Sequence, residues 1–169
     1  SSILMHELCY ATSKHPTKDF KYGGTIVSNS DIGIDSYKPA EKPMNYGGNN
    51  HGSFVEIKGK WYVFYHRHTN GTNYSRQACL EEIKFLEDGS IPQVEITSCG
   101  PNGGPLRGYG EYHAYIACNL FCKEESIYTD FTGAWMNNQF PKITQEGKDG
   151  DKEIGYIANM KASATAGFK

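Results

Sequence analysis

The chain has 169 residues, enough for one domain or for parts of two, and its mixed charges sum to −2. That balance offers no basic face to nucleic acid or to an anionic membrane, and no apolar run approaches the length of a transmembrane helix. The start shows no signal-peptide pattern and no methionine, which fits a processed or excised piece.

Taken in order, the chain reads as strands and turns. Residues 3–12 form a first predicted strand, ended by the polar loop 13–19. A second strand covers 22–28, and the polar, proline-bearing stretch 29–48 is a long connection. A strand at 53–57 then meets another at 61–66 through a tight Lys58-Gly59 turn. In the second of these, Trp61, Val63 and Tyr65 alternate with Tyr62, Phe64 and His66, so both faces are apolar enough to be covered. After the polar loop 68–74 come a strand at 76–86, a turn at Glu87-Asp88-Gly89-Ser90, and a return strand at 91–97. The unit 53–97 therefore reads as one four-stranded antiparallel sheet. No segment has the three- and four-residue apolar spacing of a helix.

Composition changes at residues 98–105, where glycine and proline mark a loop or linker. Beyond it lie apolar runs at 112–120, 142–145, 155–160 and 164–169, with a polar stretch after the first. The last run stops without a turn, and this part reads as a truncated second β-domain. Five cysteines (Cys9, Cys79, Cys99, Cys118, Cys122) form an odd set without Cys-x-x-Cys spacing, so free, buried thiols are expected. The chain is 13% aromatic, with 12 tyrosines and 19 glycines. Such rings stack on sugars, but strands use them in any case.

The motif that stands out is Gly48-Asn49-Asn50-His51-Gly52-Ser53, a histidine in a glycine-lined turn directly before a strand. With Tyr10-Ala11-Thr12-Ser13, Gly59-Lys60-Trp61-Tyr62-Val63-Phe64-Tyr65-His66, Ser75-Arg76-Gln77 and Asp88-Gly89-Ser90-Ile91, it resembles the last part of the catalytic domain of glycoside hydrolase family 43. The blocks occur in family order over about the first hundred residues. A looser likeness, carried by Ala114-Tyr115-Ile116-Ala117, Gly155-Tyr156-Ile157-Ala158-Asn159-Met160 and Ala164-Thr165-Ala166-Gly167-Phe168-Lys169, is similar to the start of a family 6 carbohydrate-binding module.

The resemblance implies an all-β chain: the closing part of a five-bladed β-propeller at 1–98, a linker at 99–110, and an incomplete β-sandwich at 111–169. It implies a secreted or cell-surface parent that hydrolyses arabinose- or xylose-containing plant polysaccharides with inversion. Inversion needs an acid and a base roughly 6.5–9.5 Å apart. The family's three carboxylates fall upstream of Ser1, so no catalytic residue is assigned in this chain, and the chain alone is expected to be inactive.

Glu7 has the wrong spacing for the family acid. Glu81 and Glu82, adjacent in a strand, point to opposite faces and cannot form a dyad; a solvated strand accounts for them. His51 is either a hydrogen-bonded structural histidine or, as the resemblance implies, the residue beside one calcium ion, held through a water because calcium prefers oxygen. Asn49 and Asn50 offer carbonyl oxygens or simply make the turn. Arg76 is either a sugar-binding guanidinium facing the pocket or half of a surface salt bridge. His66 and Arg67 are weaker candidates, and Trp61, Tyr62 and Phe64 read as blade core. The substrate-binding assignment is therefore Arg76 and His51. Two other readings stay open: a non-catalytic sugar-binding protein, and a damaged reading frame. Open blade edges also lead to the expectation that the isolated chain is marginal or oligomeric.

Overall fold

The computed structural model describes residues 7–33, 50–70, 76–122 and 141–169. The start of the first predicted strand, most of the connection at 29–48, residues 71–75 and the polar stretch at 123–140 lie outside the described residues. What is described is all-β: nine strands, two short 3-10 turns and no α-helix among these residues.

Strands β1 (Leu8–Thr12) and β2 (Lys21–Val27) form an antiparallel hairpin around the polar loop. Gly23 is required here by a close approach. A Cβ on it would sit 2.2 Å from the Tyr10 ring, whose hydroxyl accepts a hydrogen bond from the Ile91 amide at 3.0 Å. Gly23→Ala must push the ring aside and break that bond, an expected loss of about 2–3 kcal/mol in urea unfolding. An unchanged midpoint would show that the ring has room to move.

Strands β3 (Gly52–Ile57), β4 (Lys60–His68) and β5 (Arg76–Ile83) form the central sheet in that order, all antiparallel. Lys58 and Gly59 both have positive φ, 54° and 79°, the left-handed geometry that matches a two-residue turn to strand twist. The Ile57↔Lys60 pair closes this turn as the sequence predicts.

The inner face of β4 is the core. Val63 and Tyr65 pack with Ile26 and Val27 of β2, with Ile83, and with Ile91, Ile96 and Cys118. The opposite face is not covered as expected, because Phe64 is 43% exposed. The predicted fourth strand is also absent: 91–97 leaves the central sheet after the Gly89 turn, where the Leu86 amide bonds Ser90 O. Pro92 has no amide to offer a ladder. The Val94 amide instead bonds Ile26 O at 2.8 Å, and the Thr97 amide bonds the Glu81 carboxylate at 2.7 Å. The segment thus ties β2 to β5.

After the 3-10 turns at Gly100–Asn102 and Ala114–Ile116, β6 (Asn119–Cys122) pairs with β9 (Ala164–Gly167). β7 (Lys142–Asp149) pairs with β8 (Lys152–Ala158), with a register irregularity between Thr144 and Gly147. Ala117, Leu120, Cys122 and Ile143 make a second core with Tyr115, Ile157 and Ala166 against it. Polar bonds join this part to the first. The Ile143 amide donates to Thr69 O at 2.7 Å, and Lys169 Nζ and Asn119 Nδ2 both reach the buried Asp31 carboxylate, at 2.9 and 2.6 Å. All five cysteines are free; Cys99, Cys118 and Cys122 are buried as expected, whereas Cys9 is exposed.

Candidate functional site

Register decides which polar side chains meet. β3 begins where β4 ends and β5 begins, so Gly52 lies opposite Tyr65 and His68 opposite Arg76. His51, His66 and Arg76 therefore share one end of the sheet. The His51 and His66 rings stack, with centroids 5.4 Å apart and planes at 22°. His51 and Arg76 are exposed, while His66 is half-buried. At the opposite end lie Trp61 and Tyr62, where Trp61 meets Phe54 and Phe85 edge to face.

Gly52 holds this end together by its size. A Cβ there would meet Phe64 O at 2.5 Å and Leu8 Cδ2 at 2.8 Å, so the start of β1 lies against the start of β3. That brings Glu7 to the same region. Its oxygens are buried and complete no hydrogen bond of ordinary geometry, although they lie against the Ser28 hydroxyl and the Asn29 backbone. Burial outweighs those contacts and pushes the Glu7 carboxyl up to about 7. Nothing in the spacing around Glu7 announces such an environment.

Asn50 carries the clearest unfilled demand. Both polar atoms of its amide are buried without a partner. Calcium takes six to eight oxygen ligands, and among the described residues no three His, Cys, Asp or Glu side chains gather to hold a metal. What this end offers an ion is one amide oxygen and an imidazole suited to a bound water, with the buried Glu7 carboxyl nearby at the start of β1. The described residues fit a calcium ion as an outer partner and do not by themselves make up its shell.

Two expectations are corrected by burial. Arg67 is not directed at the His51–Arg76 end in the way a sugar ligand would be. It is 3% exposed and donates to the carbonyls of Ala117 and Cys118, and to Gln77 Oε1 at 3.2 Å. Gln77 in turn donates from Nε2 to Tyr115 O at 2.8 Å. The other correction is Glu81, which is 6% exposed rather than solvated. It accepts from the Thr97 amide and hydroxyl, each at 2.7 Å, and from the Tyr65 hydroxyl at 3.4 Å. Burial still dominates and raises its carboxyl to about 7. Glu82 behaves as expected, exposed and paired with Lys60 at 2.9 Å.

No protein-family model matches the sequence. Among curated proteins, a xylosidase/arabinosidase of Thermoclostridium stercorarium is 80% identical over 169 residues, all of this chain and 36% of that protein. A β-xylosidase of Xylanibacter ruminicola is 33% identical over 92 residues, 53% of this chain and 24% of its own length. Among solved structures, a family 43 β-xylosidase/α-arabinofuranosidase from a compost metagenome, in complex with xylotriose and in a calcium-free form, is 30% identical. It covers 56% of this chain and 24% of that one, with a TM-score of 0.40. A family 43 arabinoxylan arabinofuranohydrolase of Bacillus subtilis, in complex with cellotetraose, is 26% identical over 68% of this chain and 23% of that one, with a TM-score of 0.44. The chain thus spans about a third of the first relative and about a quarter of the others. By sequence, this chain is homologous over its whole length to a xylosidase/arabinosidase and over about half of it to a β-xylosidase.

Proposed function

We propose that the protein carrying this chain is an inverting glycosidase that releases arabinose or xylose units from plant cell-wall polysaccharide outside the cell. Residues 1–98 would be the closing part of its five-bladed propeller, 99–110 a linker, and 111–169 the start of a family 6-like sugar-binding sandwich. The observation that carries this reading is the 80% identity to a xylosidase/arabinosidase along the entire chain. The end of the central sheet supports it locally, because His51, His66 and Arg76 gather there. Arg76 donates to sugar hydroxyls, and His51 holds a water of one calcium ion with Asn50 beside it. The acid and base come from outside this chain.

The test is release of nitrophenol from aryl arabinofuranoside and aryl xyloside, with calcium and with chelator, by the parent protein and by these 169 residues alone. The parent is expected to turn over at least one substrate and the short chain neither. Arg76→Ala in the parent should lower kcat/KM by about 10- to 100-fold, the worth of a charge-assisted hydrogen bond. Calcium-dependent release by the short chain would instead place an acid and a base within it, with Glu7 the first residue to replace.

A further inference from the structure

Arg76 opens β5, and an opening residue of a strand is held only as firmly as the rungs around it. The last two rungs of the β4–β5 ladder are Arg67↔Gln77 and His68↔Arg76. Both side chains of the Arg67↔Gln77 rung are committed to the same distant segment. Arg67 donates to Ala117 O and Cys118 O, and Gln77 donates to Tyr115 O at 2.8 Å while accepting from Arg67 at 3.2 Å. Three donors on this one rung thus grip the middle residue of the 3-10 turn Ala114–Ile116 and the two residues after it.

That segment is itself anchored from behind. The Cys118 amide bonds Gly167 O at 2.9 Å, and Cys118 belongs to the core beneath β4. Successive strand residues face opposite ways, so Gln77 can be held on one face while Arg76 presents its guanidinium on the other.

We infer that Gln77 is a positioning residue for Arg76, and that the segment 115–118 acts as a fixed stop that sets the end of β5 through the Arg67–Gln77 pair. The part of the chain after the linker then belongs to the working pocket rather than trailing behind it. This rests on the reading of Arg76 as a sugar-binding residue. The same stop explains why Gln77 follows the arginine: a shorter or apolar side chain at 77 keeps the ladder but loses the tie to Tyr115.

The experiment is a double-mutant cycle in the parent protein between Gln77→Met and Arg76→Ala, read as KM and kcat on the aryl pentoside it cleaves best. Gln77→Met alone should raise KM about 5- to 20-fold with kcat nearly unchanged, and should add nothing on the Arg76→Ala background. Hydrogen exchange at the amides of residues 116–118 should speed up at least tenfold in Gln77→Met, a readout that needs no substrate. If Gln77→Met is too unstable to assay, Gln77→Glu keeps the bond to Arg67 and removes only the donor to Tyr115. It should show the faster exchange and a smaller rise in KM. Additive effects of the two substitutions, or an unchanged KM in Gln77→Met, would overturn the inference while leaving the glycosidase reading intact. An unchanged KM in Arg76→Ala would overturn both assignments at that residue.

Discussion

Replacing Arg67 by methionine will cost about 3–5 kcal/mol of stability, because three acceptors lose a charged donor at once and each buried group left unsatisfied costs about 1–3 kcal/mol. Methionine matches the stem of arginine and keeps its packing, so the loss isolates the guanidinium. The carbonyls of Ala117 and Cys118 and the amide of Gln77 lose their donors where water reaches them poorly. Arg67 also lies close enough to Glu81 to favour its charge, so its removal leaves that buried carboxyl harder to ionise. Arg67→Lys restores the charge without the fork that serves three acceptors at once, and should recover less than half of the loss. Urea unfolding of both variants checks this. A shift below about 1 kcal/mol for Arg67→Met would mean that water replaces these bonds freely.

The second large effect is a stability that falls as pH rises from 5 to 7.5. Burial raises the folded-state carboxyl of Glu81 from its ordinary 4.5 to about 7. Between those values the folded chain holds a proton that the unfolded chain has released, so stability is highest below the lower value and is lost as pH climbs through the upper one. For Glu81 the full difference is worth about 3–4 kcal/mol. Glu7 is raised in the same direction and adds to the slope. Asp88 opposes it only at lower pH, because the Ser90 hydroxyl and amide hold its carboxyl below the usual value. Thermal melts in steps from pH 5 to 8 should show the highest Tm near pH 5. Glu81→Gln keeps an acceptor for the Thr97 amide and cannot ionise, so its melts should show a clearly shallower slope and a gain at pH 8. A Tm that rises from pH 5 to 7.5 in the original chain would contradict the buried, proton-holding Glu81.

How much of this was legible in the sequence follows from the range of each interaction. Local conformational demands were written plainly. The Lys58-Gly59 pair makes its hairpin turn with both residues left-handed, and the register it sets aligns β3 and β4 as the alternation requires. The polar loop after Thr12, the turn at Gly89 and the glycine–proline stretch after residue 98 also form where the residues put them. The blocks around His51 and Arg76 lie in a chain whose whole length is homologous to a xylosidase/arabinosidase, and register brought both residues to one end of the sheet.

What sequence spacing did not contain is what each side chain meets across the fold. Glu81 looks like any charged strand residue until Thr97 and Tyr65 close over it. Arg67 looks like a pocket residue until its partners prove to be carbonyls fifty positions away. The segment 91–97 looks like a strand until Pro92 denies it a ladder and Val94 finds Ile26 instead. Turns, loops and the strands beside the tight turns were determined by the sequence alone, because neighbouring residues settle backbone geometry between themselves. Burial, protonation and the grip on 115–118 were decided by the tertiary structure, because each depends on atoms that only long-range packing brings within reach.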